Sequence, residues 1–382
     1  MSSPPRNLSI PGNLNVCVRT VMDTTDPDIR FDAEGICHYW HDFQAFKKSM
    51  PSPHERAQLL AERVHRIRLS GRGRDHDCVL GLSGGVDSSW LAKLANELGL
   101  RPLVVHFDNG WNSELAVSNI ENIVRRFGFD LETWVMDWAE FRDLQRAYLK
   151  ASVLDLEVPT DHMIVGALYR TAAKHGIRTI LSGTNFATEW LLPKAWNYNK
   201  SDLVNLKSIH AAFGERPLKT LPALGVWQQS WYAKRHGIRT EALLDLVDYR
   251  PSEARAKLKE ELGWRSYGDK HHESIFTRFY QGHILPRKFG IDKRKAHFSN
   301  LILTGEMNRE EALQLLQLPH YDEDEQMRDK AYVAKKLGFS SNEFDELLTQ
   351  PNRTHEEFGT DKAERSRITR IVNWRRKLLT RP

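Results

Sequence analysis

The residues best suited to chemistry form one short run, Ser83-Gly84-Gly85-Val86-Asp87-Ser88-Ser89, placed between an apolar stretch and an amphipathic one. Two adjacent glycines let the backbone turn sharply and aim its N–H groups outward, and a helix opening at Ser88 and Ser89 adds the positive end of its dipole. That combination cradles phosphate. It lacks the lysine of the G-x-x-x-x-G-K-[ST] loop, which disfavours the ordinary nucleoside triphosphatase reading. Asp87 alone would repel a phosphate, and a Mg²⁺ bridging its carboxylate to pyrophosphate oxygens removes the conflict. Ser83, Gly84, Gly85, Ser88 and Ser89 are therefore expected at phosphate, and Asp87 at the metal.

The surrounding pattern supplies elements to hold such a loop. Cys78–Leu82, Pro102–Phe107, Leu131–Met136 and Arg178–Ser182 read as short strands, separated by helical patterns over Ser88–Leu98, Ser113–Phe127, Ala139–Lys150 and His162–His175. Strands alternating with helices predict a doubly wound parallel α/β domain, taken over 53–220. A small N-terminal module, 1–52, precedes it, and a mainly helical region, 221–382, follows. Ligands in such sheets sit off the carboxyl ends of the strands, so residues just after each strand carry weight. Asp108 follows the second strand and offers a polar contact, although Asp108 or Asn109 could equally cap the next helix. Asp161 and His162 stand at a helix start, where Asp161 could be only the N-cap. Gly183 and Asn185 follow the fourth strand, with Glu189 shortly after; Gly183 permits close backbone approach and Asn185 offers both donor and acceptor.

Composition bounds the rest. The chain has 382 residues, 27% of them charged, with Lys+Arg 55 against Asp+Glu 50 and a net charge of +5. This fits a globular chain and excludes disorder and a disulfide miniprotein, while an excess so small does not by itself indicate nucleic acid. Three cysteines, Cys17, Cys37 and Cys78, form no framework, and no apolar run approaches about eighteen residues, so a cytoplasmic protein without disulfides or membrane spans is expected. The excess charge concentrates in Lys270–His297, which is rich in aromatics, and in Lys362–Arg381, which reads as a docked amphipathic helix with a basic solvated face.

SGGVDSS, between a strand and a helix, resembles the PP-loop of the ATP pyrophosphatases, which cleave ATP between its α- and β-phosphates and adenylate an oxygen. Within that superfamily, the run Lys270-His271-His272-Glu273-Ser274-Ile275-Phe276-Thr277-Arg278-Phe279-Tyr280-Gln281, followed by Leu285-Pro286-Arg287-Lys288-Phe289-Gly290, resembles the C-terminal signature of the N-acetyl sugar amidotransferases of surface-polysaccharide and flagellar-glycan biosynthesis. The stretch Val21-Met22-Asp23-Thr24-Thr25-Asp26-Pro27 is similar to the start of the same family, where two C-x₂-C pairs form a zinc ribbon. Here Thr20 and Trp40 stand in place of the second cysteine of each pair, leaving only Cys17 and Cys37. Thr and Trp do not replace thiolates, and His38 and His41 have awkward offsets, so structural zinc is not expected.

The resemblance implies an ATP- and Mg²⁺-dependent enzyme that adenylates the acetamido carbonyl of a nucleotide-activated sugar and replaces its oxygen with ammonia, giving an acetamidino sugar for lipopolysaccharide O-antigen or a related glycan. It implies catalytic roles for Asp87, Lys270, His271, Glu273 and Arg278. ATP contacts are implied at the loop, Asp108, Gly183 and Asn185, and substrate contacts at Asp161, His162, Glu189, His272, Arg287 and Lys288. No glutaminase nucleophile elbow is present, so a glutaminase subunit and a cyclase-like ammonia-channelling subunit are the expected partners. Two other readings remain open at this stage: a lysidine-type tRNA-modifying enzyme, with nucleic acid bound by the basic tail, and a non-catalytic scaffold for a glutaminase.

Overall fold

The computed structural model describes residues 14–266 and 273–379, with side chains described as far as residue 370. Strands β1 (Cys78–Gly81), β2 (Pro102–Asp108), β3 (Asp130–Val135), β4 (Thr179–Leu181) and β5 (Arg239–Glu241) form one sheet in the order β3-β2-β1-β4-β5, every neighbouring pair parallel. Helices α1 (His38–Ser49) and α2 (Pro53–Ser70) precede the sheet, and α3 (Val86–Glu97), α4 (Glu114–Phe127), α5 (Trp138–Ala151) and α6 (Val158–Lys174) connect its first four strands. Then α7 (Phe186–Glu189), α8 (Leu203–Phe213) and α9 (Val226–Arg235) lead to β5. Beyond it lie α10 (Pro251–Leu262), α11 (Ile275–Phe279), a π-helical stretch Tyr280–Phe289, α12 (Lys293–Thr304), α13 (Arg309–Leu316), α14 (Glu323–Leu337), α15 (Ser341–Thr349) and α16 (Lys362–Leu379).

Period-two alternation along the strands decides the layers. Cys78, Leu80 and Val104 bury against Val64 and Ile67 of α2, Leu91 of α3 and Leu258 of α10, whereas Val79, Leu103 and Val105 face Ala172 of α6. Both faces are covered, as a parallel sheet requires. Chain direction reverses its progress across the sheet between β1 and β4, and the crevice at their carboxyl ends is where this topology places ligands.

The doubly wound α/β expectation holds, with local differences. The sheet has an edge strand, β5, beyond the expected boundary at residue 220. Its Arg-Thr-Glu sequence has no apolar signal, and it is held by main-chain bonds, Arg239 N–H to the Arg178 carbonyl and Ser182 N–H to the Glu241 carbonyl, at 2.9 and 3.0 Å. Helix α6 begins at Val158, with Pro159 in its first turn, so Asp161 lies inside the helix and is not its N-cap. The C-terminal helices are not a separate body: Phe276, Phe279, Val333 and Phe344 share one core with Phe141, Leu144 and Tyr148 of α5. The N-terminal module likewise buries Cys17, Met22, Cys37 and Phe43 against Leu191, Trp196 and Ala296. Among the described residues, no helix is long and apolar enough to cross a membrane.

Candidate active site

The loop after β1 is built from backbone strain and hydroxyl bridges. Gly84 has φ +82°, and a Cβ there would lie 2.5 Å from the Ala116 carbonyl oxygen, so only glycine fits. Gly85 begins α3 with no side-chain cap, which leaves the positive helix end facing the crevice. The Ser83 and Ser88 hydroxyls lie 3.1 Å apart; Ser83 Oγ accepts the Gly85 N–H at 3.2 Å, and Ser88 Oγ accepts the Ser83 N–H at 3.3 Å. Behind the loop, Trp264 Nε1 donates to the Gly84 carbonyl at 2.9 Å, and Asn119 Nδ2 bonds the Arg265 carbonyl at 2.9 Å. Residues far along the chain thus brace the loop. Ser89 departs from expectation: its side chain is fully buried and its N–H bonds the Gly85 carbonyl at 2.9 Å, so neither group faces a phosphate.

Asp87, in the first turn of α3, is clamped from two sides. Tyr249 donates its hydroxyl to Oδ1, and Thr188 donates to Oδ2 at 3.2 Å. Burial and the Asp87 charge push the Tyr249 phenol far up, so it stays protonated and a donor. Thr188 is fixed in turn by Asn185 Oδ1, which accepts its N–H at 3.0 Å, and by Asn300 of α12, which donates to its carbonyl at 3.2 Å. Asn185 is therefore the N-cap of α7, buried, with its Oδ1 taken by the Thr188 N–H and its Nδ2 by the Gly183 carbonyl. Gly183 does approach the loop: a Cβ there would sit 3.5 Å from the Ser88 nitrogen. Tyr249 carries no motif, and only its burial next to a carboxylate reveals it.

At the end of β2, Asp108 Oδ1 accepts the Gly110 N–H at 2.9 Å and Asn109 Oδ1 the Trp111 N–H at 3.1 Å. Ser113 caps α4, which removes the capping alternative for Asp108 and Asn109. Burial keeps His106 neutral, with its Nδ1 3.3 Å from the Leu82 carbonyl behind the loop. Glu273 arrives beside this strand end, where its carbonyl accepts the Ser113 N–H at 2.8 Å. Lys270, His271 and His272 lie outside the described residues.

A cleft of about 370 Å³ opens beside Thr188. One wall comes from Thr184, Glu189, Leu191 and Leu192, and the other from Gln281 and Gly282 of the π-helical stretch with Lys293, Arg294, His297 and Phe298 of α12; His320 joins them. Lys293 pairs with Glu157 at 3.2 Å and Arg294 with Asp292 at 2.8 Å. Leu191, Leu192, Ala296 and Phe298 give the cleft an apolar component, and the charged Lys293 and Arg294 that line it are largely buried.

Several expected site residues are used for packing instead. Arg278 forms a forked pair with Asp329, both bonds 2.9 Å, and reaches Glu325 at 2.8 Å. Arg287 lies against His283 and Gln326. Lys288 Nζ satisfies the carbonyls of Leu347 and Gln350 at 3.2 and 2.7 Å, closing the end of α15. His162 is buried and neutral, bridging the Lys200 carbonyl and the Leu224 N–H at 2.9 and 3.1 Å. Asp161 pairs with Lys200 at 3.2 Å, at the end of α6 nearest the cleft. Among the described residues, Glu189 is the one expected substrate contact that lines the cleft; Lys293, Arg294 and His297, one helix farther along the same run, line it as well.

In the N-terminal module, Cys17 Sγ accepts N–H groups from Cys37 and Arg19 at 3.2 and 3.4 Å, and Thr20 Oγ1 lies 3.5 Å from Cys37 Sγ. The Cys37 thiol, together with these donors, makes Cys17 the more acidic member of the pair. His38 Nδ1 accepts the Arg30 N–H and His41 pairs with Asp32, so neither turns to the cysteines. Among the described residues, no group of three or more His, Cys, Asp or Glu is arranged to hold a metal.

Fold and loop together give a parallel α/β sheet whose first strand leads through a Gly-Gly turn into an uncapped helix start. Residues 273–373 match the family described as LPS biosynthesis protein WbpG-like, C-terminal domain, in agreement with the sequence resemblance. An uncharacterized protein, MJ1599, of Methanocaldococcus jannaschii is 28% identical over 127 residues, which is 33% of this chain and 43% of that protein. The chain thus spans less than half the length of this curated relative. Among solved structures, NMN synthetase from Francisella tularensis superposes with TM-score 0.31 and 16% identity over 80% of this chain and 100% of its own. NH3-dependent NAD synthetase from Campylobacter jejuni gives 0.30 and 15% over 55% and 85%, and a predicted subunit of tRNA methyltransferase from M. jannaschii 0.28 and 15% over 48% and 75%.

Proposed function

We propose that the protein is an ATP-dependent, AMP-forming amidotransferase that converts the acetamido group of a nucleotide-activated sugar into an acetamidino group, in the cytoplasm, for lipopolysaccharide O-antigen or related glycan assembly. The observation that carries this reading is the joining of two parts. The clamped Asp87 and its phosphate loop share Thr188 with a cleft whose far wall belongs to the WbpG-like region.

An amide carbonyl is a poor electrophile with a poor leaving group, and adenylation of its oxygen cures both defects. The uncapped start of α3 and the Gly84–Gly85 turn fit a triphosphate, and Asp87, with both oxygens oriented, fits a divalent cation. Mg²⁺, when bound, would offset the charge of the departing pyrophosphate. The serine hydroxyl bridges keep the loop from reorganising as charge develops, which is where preorganised dipoles act best. In this reading Asp108, at the end of β2, contacts the nucleoside, and Lys293, His297 and Glu189 orient the sugar nucleotide in the cleft. The amide oxygen attacks the α-phosphorus and pyrophosphate leaves; ammonia then adds at the imidate carbon, and AMP departs with the original oxygen. Ammonia comes from a glutaminase partner through a channelling subunit.

The test is mass spectrometry of a panel of nucleotide-activated acetamido sugars incubated with the protein, ATP, Mg²⁺ and an ammonium salt. The expected product carries the mass change of O replaced by NH, with AMP formed in equal amount. No such product across the panel refutes the reading.

A further inference from the structure

The strongest unassigned feature lies toward the other end of the sheet from the phosphate loop. A cavity of about 380 Å³ opens beside the edge strand β5, between the last turn of α2 and the amino ends of β4 and β5. Arg66, Arg178 and Arg239 line it, with Ile67 and Leu69 as an apolar side and Ser70 and Thr179 as hydroxyl-bearing neighbours. Its one carboxylate, Glu241, is already met by Arg63 at 3.1 Å and by Arg66 at 3.9 Å. Neither Arg178 nor Arg239 has a side-chain hydrogen bond or ionic partner among the described residues, and both are exposed.

Two guanidinium groups without a carboxylate partner line one concavity, on adjacent strands, and give it a local positive potential and free donors that a bound anion can use. They are brought together by register: Arg239 stands opposite Thr179, the residue after Arg178. A neighbouring cavity makes a useful contrast. It also contains Leu69 and is lined by Arg68, Arg72 and Arg101, but Arg101 is held by Asp77 at 2.7 Å and Arg68 donates to the Leu98 carbonyl. There most of the cationic donors are committed, whereas at Arg178 and Arg239 they are not.

The geometry points to a second anion site, separate from the phosphate loop, that takes a small molecule bearing a phosphate or diphosphate. Guanidinium forks match phosphate oxygens two at a time, and the volume is of the size that holds small molecules. The concave shape and the apolar side at Ile67 and Leu69 favour a compact organophosphate over an extended polyanion, which would need a continuous surface track.

The experiment is calorimetric titration of the full chain, its ATP site filled with a non-hydrolysable ATP analogue and Mg²⁺, with inorganic pyrophosphate and separately with AMP. Saturable binding is expected for at least one probe. It should weaken about tenfold or more in R178Q/R239Q, the loss expected for hydrogen bonds to a charged partner. Binding of both probes, or AMP alone, assigns an organophosphate, and pyrophosphate alone assigns the inorganic ion. Should the double variant melt early, R66Q on α2 replaces it with the same expectation. Absence of saturable binding overturns the proposal, as does equal binding in the variants. Capture of a short RNA with steep salt dependence, and of neither small probe, also overturns it.

Discussion

Replacing Tyr249 by Phe removes one oxygen atom and tests how Asp87 is held. The Tyr249 ring is buried, and its hydroxyl donates to Asp87 Oδ1 while Thr188 Oγ1 donates to Oδ2 at 3.2 Å. A hydrogen bond to a charged group contributes about 1.5–3 kcal/mol. Because Thr188 still holds the second oxygen and Asp87 is only half-buried, the lower end applies, which corresponds to roughly a tenfold change in rate or metal affinity. Phe fills the same space against Trp90, so melting should stay near that of the wild type. The assay is ATP–pyrophosphate exchange in the presence of the sugar nucleotide, with Mg²⁺ varied. Y249F is expected to raise the half-saturating Mg²⁺ about tenfold, and T188V, which releases the other oxygen, should add to it. Since the phenol is driven far above its ordinary range by burial and by Asp87, the wild-type profile should show no tyrosine titration through neutral pH. If Y249F folds normally and exchanges with unchanged Mg²⁺ dependence, the clamp does not position Asp87, and the reasoning fails.

Two further outcomes follow from the same geometry. Gly84→Ala puts a Cβ 2.5 Å from the Ala116 carbonyl in a left-handed conformation, so a cost of about 1–3 kcal/mol in stability and a loss of ATP binding are expected from melting curves and nucleotide titration. Burial pushes the His355 and His283 imidazoles down to about 4, while an unfolded histidine titrates near 6.5. Between those values the unfolded chain binds the extra protons, so stability falls as pH drops from about 6.5 to about 4, by about 3 kcal/mol per histidine. Urea unfolding at stepped pH should show H355Q losing about 3 kcal/mol less than the wild type over that range, with His106 and His162, also held neutral by burial, contributing equally to both profiles; an unchanged loss would exclude the assignment.

The parts of the site that could be read in advance are those whose function depends on local chain geometry. Gly84 and Gly85 announce a turn wherever they fall between an apolar strand and an amphipathic helix, and the strands around them alternate visibly. β5 escaped because Arg239-Thr240-Glu241 is recruited by main-chain bonds to β4, with no side-chain pattern to betray it. The density of charge in the basic run is visible in the sequence, but charge density does not say which cation meets a carboxylate fifty residues away. Arg278 is taken by Asp329 and Lys288 by the end of α15, while Lys293 and His297, one helix on, reach the cleft. Tyr249 was illegible for the same reason: a lone tyrosine acquires meaning from the carboxylate it faces, and that partner is set by packing.

The bond from Trp264 to the Gly84 carbonyl joins residues 180 positions apart. During synthesis the glycine turn leaves the ribosome long before the indole that braces it, and so does the β1 strand before its second neighbour, β4. A fragment ending at residue 220 leaves the Gly84 turn without this brace, and it is expected to bind ATP more weakly than the full chain, as nucleotide titration of both would show. Under the proposed function, competence for nucleotide would be a late acquisition, gained only after Trp264 has been made.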